Sequence, residues 1–542
     1  MTELRRRWLP PATVALLALA ATVTSIGHDF TYDDRSVILE NERVHSFAHI
    51  PRLFLETYWP PYYGGDGYRP FVTTLFTLEW LTARGAPWVF HLVNILLAVA
   101  VSVAMYWCAR AILPQVGAWV AAALFSVHPV HVEVTGNVVG QSELIVALCL
   151  FLAIGIYVRA RRAHALTPRR SIAIQLLFAL ALLAKEHAMV LPGILIAAEA
   201  TVIPDQGWRA RVRAVRTLLL AMIAIALGYL LVRGRIQSDL AGFIPYPVFR
   251  FLHMSAVERI GTMMNEIPRI AQLILFPVRL AADYSPPDVL VADGPALSQL
   301  PGVFICLCAV LLAVALRKRA AVVSFGLAWV IVAFLPVSNL LIPAGFITAE
   351  RTLFLPSAGA VLMAGALAEY LPRRASRSGQ RLAIAGLALL LMAGLARSID
   401  RQRVWKNNSV FFVALMKDAS LSYRAHFLHG RFLALHDHKR EMELEYRRAI
   451  RMFPYDAGMT LSIADAYTRA GLCAPAVALF EWTYAVEADT GDGRYEYVYC
   501  LASLNRWADA RREALDGLRR VPPRDVPLMR AAIARANAAL KH

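Results

Sequence analysis

The chain has few cysteines and few acidic side chains for its length. Its 542 residues include six Cys, and 39 Asp and Glu against 56 Lys and Arg, which gives a net charge of +17. No cysteines have the spacing of a zinc site, so a cysteine-based zinc module is excluded. An excess of positive charge can indicate that a protein binds nucleic acid. Here the basic residues cluster beside apolar runs, as the positive-inside rule describes for membrane proteins, and we expect no nucleic-acid partner.

Charged residues are also scarce, and long apolar runs take their place. Only 18% of the residues are charged, 58% are hydrophobic, and the mean hydropathy is +0.49. A soluble domain of this size does not carry so many long apolar runs. The pattern predicts about eleven crossings of a membrane. They lie at about 9–27, 87–110, 114–127, 143–158, 171–184, 188–203, 217–232, 301–316, 320–336, 352–371 and 382–396.

The basic loops predict the orientation of these crossings. Arg5, Arg6 and Arg7 place the N-terminus in the cytoplasm, and the crossings then place the C-terminus outside. The first run resembles a signal peptide, but 24–27 is a poor cleavage site, so we expect an uncleaved anchor. The stretch 258–280 is only partly apolar and is expected to be an interfacial or re-entrant element.

With this topology, the conspicuous polar loops all fall on the non-cytoplasmic side. Ionisable residues at a membrane face are a functional hypothesis by default, because desolvation makes them costly. The residues that share this face are Asp33, Asp34, Arg69, His128, His131, Glu133, Glu143, Lys185, Glu186, Asp283, Glu350 and Arg351.

The Asp33-Asp34 pair follows the first apolar run directly. A partly desolvated carboxylate beside a like charge has a raised pKa, which suits a general base. The structural alternative is a solvated turn or a helix N-cap. We interpret the pair as catalytic and assign the base to Asp34 by a narrow preference over Asp33.

Each of the other polar groups also has more than one interpretation. The spacing of His128, His131 and Glu133 matches no strong metal motif, so we rank substrate binding first, an interfacial cap second and a metal third. The pairs Lys185-Glu186 and Glu350-Arg351 suit a phosphate at headgroup depth, with snorkelling side chains as the alternative. Four aromatic residues could stack on a sugar or form an interfacial belt. They are Trp59, Tyr62, Tyr63 and Tyr68.

Residues 423–524 repeat with a period of 34. This pattern is similar to tetratricopeptide repeats, in which helix pairs stack into a solenoid. Cys473 and Cys500 lie in this region and could pair in an oxidising compartment. The aligned positions are Gly430 with Ala464; Leu433 with Tyr467 and Leu501; Met442 with Ala476 and Ala510; Tyr446 with Phe480 and Ala514; and Pro454 with Pro522.

Together these features resemble the transmembrane and tetratricopeptide repeat-containing O-mannosyltransferases, which are lipid-linked sugar transferases of the GT-C class. The resemblance covers nearly the whole chain, although Gln141 stands where the family commonly has Arg. The matching motifs are Tyr32-Asp33-Asp34, Tyr68-Arg69-Pro70, His91-Leu92-Val93-Asn94, His128-Pro129-Val130-His131-Val132-Glu133, Lys185-Glu186, Leu335-Pro336-Val337-Ser338-Asn339 and Ala349-Glu350-Arg351-Thr352-Leu353-Phe354-Leu355-Pro356-Ser357.

The resemblance implies an all-α fold, with a GT-C transmembrane domain at 1–400 and a tetratricopeptide domain at 401–542. It implies transfer of mannose to Ser or Thr hydroxyls of a polypeptide that the repeats hold. We expect an inverting enzyme with a polyprenyl-phosphate donor, no required cofactor and no favoured metal. The Arg- and Ala-rich composition is typical of bacteria, so we expect an inner-membrane protein whose active site and repeats face the periplasm.

Each residue then has an expected role. Asp33 and Asp34 are catalytic. Lys185, Arg351, His128 and His131 bind the donor phosphate. The supporting residues are Tyr32, Arg69, Glu133, Glu143, Glu186, Asp283, Asn339 and Glu350.

Two other functions compete with this hypothesis. A lipid-linked oligosaccharide ligase or flippase would share the lipid-phosphate site, but a flippase should carry polar residues deep within its spans. A non-enzymatic scaffold, in which the repeats recruit partners, would not need polar residues along one face.

Overall fold

The computed structural model describes residues 3–61, 66–204, 207–238, 254–341, 343–344, 346–370, 376–487, 490–521 and 525–541. These residues form an all-α structure. Their only β contacts are two isolated bridges, Tyr284 with Thr348 and Pro287 with Ser422. The predicted all-α class is confirmed. Tyr62, Tyr63 and Pro522, which the sequence analysis singled out, lie outside the described residues.

The N-terminal region holds thirteen described helices of ten or more residues. They are α1 (Glu3–Thr22), α2 (Pro70–Ala83), α3 (Pro87–Ala109), α4 (Gln115–Ser126), α5 (Gln141–Arg162), α6 (Pro168–Ala184), α7 (Leu191–Thr201), α8 (Trp208–Ser238), α9 (Ala256–Leu275), α10 (Leu300–Ala315), α11 (Ala321–Phe334), α12 (Phe354–Tyr370) and α13 (Arg377–Gln402).

Each predicted crossing coincides with one of these helices. Within the described ranges, seven of them are long and apolar enough to cross a membrane: α1, α3, α5, α8, α10, α12 and α13. Helices α4 and α11 are apolar but shorter. The chain is therefore a multi-pass membrane protein, while the count of eleven crossings stays a prediction.

Close helix packing builds the core of the membrane region. Helix α12 packs against both α4 and α11, and α3 packs against α4 and α5. At the crossing of α11 and α12, a Cβ on Gly326 would lie 2.6 Å from the carbonyl oxygen of Gly359. Only glycine allows two backbones this close, which is how small residues stabilise helix pairs in membranes.

Helix α9 differs from its neighbours. A capping box formed by Ser255 and Glu258 begins it. Met263 and Ile270 are buried, whereas Val257 and Ile260 are exposed. A helix that has a buried apolar face and also carries charged residues is compatible with a position at the membrane interface, and α9 is not among the candidate spans.

The C-terminal region consists of helices that pack in consecutive pairs. The second helices of three pairs begin 34 residues apart, at Lys439, Cys473 and Trp507. A disulfide between Cys473 and Cys500 joins the second pair to the third. The helices are α14 (Asn408–Asp418), α15 (Tyr423–Leu435), α16 (Lys439–Met452), α17 (Ala457–Arg469), α18 (Cys473–Val486), α19 (Arg494–Ser503), α20 (Trp507–Gly517) and α21 (Val526–Ala539).

The expected domain boundary at residue 400 falls inside a continuous helix. Helix α13 runs to Gln402 and a short turn, Arg403–Trp405, leads directly to α14. Trp405 is 1% exposed, because this connection is packed against the membrane region. The C-terminal helices are thus held beside the loops that carry the polar residues.

Candidate active site

The Asp pair lies in a tight loop just after α1. Asp34 is fully buried, and its carboxylate accepts the backbone N–H of Val139 at 2.9 Å and of Thr31 at 3.2 Å. Asp33 keeps 17% of its side chain exposed. The two carboxylates therefore have different environments: Asp34 anchors the loop, and Asp33 is accessible.

The connection between α13 and α14 holds this loop from the other side. The Tyr32 ring stacks on Phe411 with 5.0 Å between ring centroids. Tyr32 has a φ of +56°, a conformation that costs free energy in a non-glycine residue and that surrounding contacts must maintain. Three hydrogen bonds supply these contacts. The Asp29 N–H donates to the Lys406 carbonyl at 2.9 Å, and the Thr31 hydroxyl donates to the Trp405 carbonyl at 3.1 Å. The Tyr32 N–H donates to Asn408 Oδ1 at 2.8 Å.

Arg351 lies between two carboxylates. Its Nη1 donates to Glu133 Oε1 at 2.7 Å, and its backbone N–H donates to Glu133 Oε2 at 2.8 Å. The same Nη1 is 3.8 Å from Asp33 Oδ2. Glu133, two residues after His131, therefore orients Arg351 toward Asp33. This pair joins two of the motifs that carry the resemblance.

Two further cations approach from the loops before α2 and after α6. Lys185 Nζ forms an ion pair with Glu143, whose other oxygen accepts the Ser142 hydroxyl at 2.6 Å. Arg69 Nη2 is 3.3 Å from Glu186 Oε1. Burial alone would raise the pKa of Glu186, but nearby cations, Arg69 first, hold that pKa well below its usual range.

A fourth cation comes from the C-terminal region. Arg424 Nε is 3.8 Å from Asp283 Oδ1, and the Ser422 hydroxyl donates to Asp283 Oδ2 at 2.5 Å. Asp283 was among the site residues predicted from the sequence, but its partners Ser422 and Arg424 were not. Their only signal was their position at the start of the first predicted repeat.

These four cations act together on Asp33. Burial raises the pKa of the Asp33 carboxyl above its usual value, and four positive charges oppose the rise. In decreasing order of strength they are Arg351, Arg424, Arg69 and Lys185. For Asp34, burial raises the pKa to about 7, against the hydrogen bonds that its carboxylate accepts from the backbone.

The other predicted site residues have partners within the protein. Glu350 Oε1 accepts the Tyr284 hydroxyl at 2.7 Å and the Ala281 N–H at 2.6 Å. The Asn339 side chain binds backbone groups of its own loop, donating to the Phe346 carbonyl at 3.0 Å. Both residues shape the segment before Arg351.

The two histidines are engaged in the same way. His128 Nε2 is 2.9 Å from the Ile274 carbonyl, and His131 Nε2 is 2.8 Å from the Ser357 hydroxyl. His131 also packs against the rings of Phe125 and Phe354. The structure gives neither imidazole a contact with the four cations, so their predicted phosphate role stays a prediction.

Tyr58, which was not in the predicted aromatic set, lies beside Arg69, whereas Tyr68 of that set is bound to the preceding loop. The Arg69 guanidinium lies 4.6 Å from the centroid of the Tyr58 ring, and the Tyr68 hydroxyl donates to the Phe54 carbonyl at 3.0 Å. In the part of the chain that the structure describes, no group of three or more His, Cys, Asp or Glu side chains is arranged to hold a metal ion.

Comparisons with known proteins identify relatives but no family model matches the chain. The chain is 26% identical to protein O-mannosyl-transferase TMTC3 of Mus musculus over 419 residues, 72% of this chain and 45% of the relative. It is 25% identical to Tmtc3 of Drosophila melanogaster over 510 residues, 80% of this chain and 54% of the relative. The resemblance drawn from the sequence is confirmed. The chain spans about half the length of the curated relatives it matches.

A higher identity is confined to a shorter segment, and the likeness to solved structures is weak. Protein O-mannosyl-transferase Tmtc2 of Drosophila melanogaster is 36% identical over 183 residues, which is 32% of this chain and 20% of that relative. The archaeal oligosaccharyltransferase AglB of Archaeoglobus fulgidus superposes with a TM-score of 0.44 at 16% identity, over 74% of this chain and 56% of that chain.

Proposed function

We propose that the chain is an inverting membrane glycosyltransferase of the GT-C class. It transfers a sugar, mannose by analogy with its curated relatives, from a polyprenyl phosphate to Ser or Thr hydroxyls of a polypeptide. The observation that carries this proposal is the accessible Asp33 carboxylate, 3.8 Å from Arg351 and subject to the charges of three further cations. A base beside a cluster of cations suits attack by a hydroxyl on a phosphate-activated carbon.

The base is Asp33 rather than Asp34. The acceptor hydroxyl attacks the anomeric carbon, a new carbon–oxygen bond forms, and the bond from that carbon to the phosphate oxygen breaks. The hydroxyl proton passes to the Asp33 carboxylate, and the electron pair leaves with the polyprenyl phosphate. A single displacement of this kind inverts the anomeric centre. Asp34 is unsuited to the role because backbone N–H groups already occupy its carboxylate.

The cations stabilise the departing phosphate. Arg351 and Lys185 are each held by a carboxylate that leaves other donor positions of the cation available. A preoriented cation loses little side-chain entropy when an anion arrives, and its interaction with phosphate grows as charge develops. The paired acids Glu133 and Glu143 thus position cations rather than carry out the chemistry.

The C-terminal helices fit the acceptor-holding role of a tetratricopeptide solenoid. Their pairs recur every 34 residues, the period of that repeat, and such stacks present a concave surface. The disulfide between Cys473 and Cys500 supports an oxidising compartment. We place the repeats and Asp33 on the periplasmic side of a bacterial inner membrane.

The donor distinguishes this proposal from its competitors. Purified protein in detergent is given a Ser/Thr-containing polypeptide and either mannosyl polyprenyl phosphate or an oligosaccharide on polyprenyl diphosphate. Transfer from the monophosphate alone, measured by mass spectrometry of the polypeptide, supports the proposal. Transfer from the diphosphate alone favours the ligase, and transfer from neither donor favours the scaffold.

A further inference from the structure

Arg69, in the loop before α2, is held between an aromatic ring and a carboxylate. Its Nη2 lies 3.3 Å from Glu186 Oε1, and its guanidinium carbon lies 4.6 Å from the centroid of the Tyr58 ring. Arg69 keeps 16% of its side chain exposed and Glu186 keeps 32%. A ligand can therefore reach this pair of side chains from solvent.

The loop around Tyr58 fixes the ring in place. The Tyr58 N–H donates to the Gly67 carbonyl at 2.8 Å, and the Trp59 N–H donates to the Asp66 carbonyl at 2.9 Å. Gly67 has a φ of +74°, and a Cβ on it would lie 3.3 Å from the Cβ of Tyr58. Glycine fits both the left-handed backbone and the close approach. The Tyr58 ring is therefore preorganised beside Arg69.

Arg69 and the two side chains that contact it each have a buried polar atom that no described residue satisfies. These atoms are the Tyr58 hydroxyl oxygen, Arg69 Nε and Glu186 Oε2. Tyr58 as a whole is only 2% exposed. A buried polar atom without a partner costs free energy, and native proteins contain few of them. Three in one place indicate a ligand that binds them.

The hydrogen-bonding needs of the three atoms define the chemistry of that ligand. Arg69 Nε–H needs an acceptor, the ionised Glu186 carboxylate needs a donor, and the Tyr58 hydroxyl can serve as either. A phosphate offers no proton to Glu186 and is repelled by its charge, and an ammonium group offers no acceptor to Arg69. A hydroxyl both donates and accepts, so neighbouring hydroxyls of a sugar match the whole set.

The position of Glu186 in the chain agrees with a sugar ligand. Glu186 directly follows Lys185, to which the proposed function assigns the donor phosphate. Consecutive Cα atoms lie about 3.8 Å apart, and a donor sugar is joined to its phosphate through a single oxygen. A sugar whose phosphate lies at Lys185 is therefore within reach of Glu186 and Arg69.

We propose that Tyr58, Arg69 and Glu186 form a sugar-hydroxyl subsite, which binds neighbouring hydroxyls of the donor sugar and thereby selects the sugar that is transferred. The inference rests on the proposed function, because it takes the donor to be a sugar on a polyprenyl phosphate. It extends that function by separating recognition of the sugar from the binding of phosphate by Arg351 and Lys185.

The experiment combines variants of the subsite with deoxy donors. Purified protein in detergent is given a Ser/Thr-containing polypeptide and either mannosyl polyprenyl phosphate or its 2-, 3-, 4- or 6-deoxy analogue. For wild type, loss of a hydroxyl that binds the subsite should lower kcat/KM ~10- to 100-fold. Tyr58→Phe and Glu186→Gln should each lose a similar factor with the natural donor. One deoxy donor should then cost each variant little more, because both changes remove the same hydrogen bond.

Glu56→Gln is the matched control. Glu56 lies in the loop between α1 and α2 and pairs with Arg43 at 3.4 Å, with 34% of its side chain exposed. This variant should respond to every deoxy donor as wild type does.

Thermal unfolding separates recognition from a structural role. Tyr58→Phe should melt at or above the wild-type temperature, because it removes a buried hydroxyl that has no partner among the described residues. A structural role for that hydroxyl predicts a lower melting temperature together with equal relative use of all the donors, and this result would overturn the inference.

Two further kinetic results would overturn the inference. One is a wild-type protein that uses all the donors equally. The other is a set of independent losses, in which the factor for each variant multiplies the factor for each deoxy donor.

Donor binding is measured separately, as the rise in melting temperature that each donor causes. If wild type binds the mannosyl donor but transfers no sugar, the proposed function fails, and the melting temperatures still decide the subsite. Equal rises with the mannosyl donor and every deoxy donor would overturn it, whereas a smaller rise with a deoxy donor that Tyr58→Phe abolishes would support it. A wild-type protein that binds no donor contradicts both proposals.

Discussion

The backbone N–H of Val139 donates to the carboxylate of Asp34 at 2.9 Å, across 105 residues of sequence. This contact ties the loop after α1 to the turn that begins α5. It also gives the two adjacent acids different roles: Asp34 is buried and holds the loop, whereas Asp33 stays accessible. The consequences for stability and for catalysis therefore differ between Asp33 and Asp34.

Asp34→Asn should destabilise the protein. An amide presents one acceptor where the carboxylate presents two, so one buried backbone N–H loses its partner at a cost of ~1–3 kcal/mol. The full burial of Asp34 distinguishes this variant from one at an exposed carboxylate, where the change to an amide has little folding cost. Thermal unfolding in detergent should show a lower midpoint for Asp34→Asn than for Asp33→Asn. Equal midpoints would mean that the contact with Val139 contributes nothing.

Arg351→Lys should weaken donor use while the fold survives. Lysine keeps the charge that Glu133 needs in its buried position, but it lacks the planar fork that binds phosphate at two points. The donor KM should rise roughly tenfold. Arg397→Lys is the control, because Arg397 pairs with the exposed Asp400 away from the site. An unchanged donor KM in Arg351→Lys would place the phosphate elsewhere.

Truncation should show where the catalytic unit ends. Removal of everything after Asp400 deletes Trp405, Lys406, Asn408 and Phe411, which hold the loop that carries Asp33. That protein should transfer sugar to no acceptor. Truncation after Met452 keeps these residues and Arg424, so transfer to a short peptide should persist while transfer to a folded protein falls.

The protein that ends at Asp400 tests the connection between α13 and α14. Glycosylation of a peptide by that protein would contradict the role assigned to the connection between α13 and α14. If the protein that ends at Met452 glycosylates a folded protein as well as the full chain does, the acceptor-holding role of the later repeats is contradicted.

The disulfide gives a test of orientation. In a variant whose free cysteines are replaced by Ala, Cys473 and Cys500 should react with a thiol-specific mass tag only after reduction. The free cysteines are Cys108, Cys149, Cys306 and Cys308. Tagging without reduction, in protein taken rapidly from cells, would place the C-terminal region in a reducing compartment. Cys473→Ser should also lower the free energy of unfolding by ~2–4 kcal/mol.

Much of the fold could be predicted from composition and periodicity. Every apolar run coincides with a helix, and the helix pairs after Tyr423 follow the predicted period, because burial of apolar faces controls both patterns. The boundary at 400 was less predictable. Helix α13 has no breaker there, and the packing of Trp405 depends on a partner from the start of the chain.

The sequence could predict which residues lie together at the site, but not which hydrogen bonds they form. The predicted topology places these loops on the same side of the membrane. Asp33, Glu133, Lys185 and Arg351 could therefore be grouped from the sequence. Hydrogen-bond partners depend on three-dimensional distances, so sequence could not reveal that Asp34 is occupied or that His128 and His131 bind Ile274 and Ser357. Arg424 was missed because its region was assigned to acceptor binding.

The most direct test of the account is the rate of sugar transfer by Asp33→Asn across a range of pH. The control is Glu40→Gln, which removes an exposed carboxylate from the same loop. Wild type should lose activity as the pH falls through the pKa of Asp33, which burial raises above its usual range, because only the carboxylate accepts the proton. Asp33→Asn should be ~10²- to 10⁴-fold slower than wild type and should lack that acidic limb, whereas Glu40→Gln should match wild type. Near-normal transfer by Asp33→Asn, with an unchanged pH profile, would contradict the proposed mechanism.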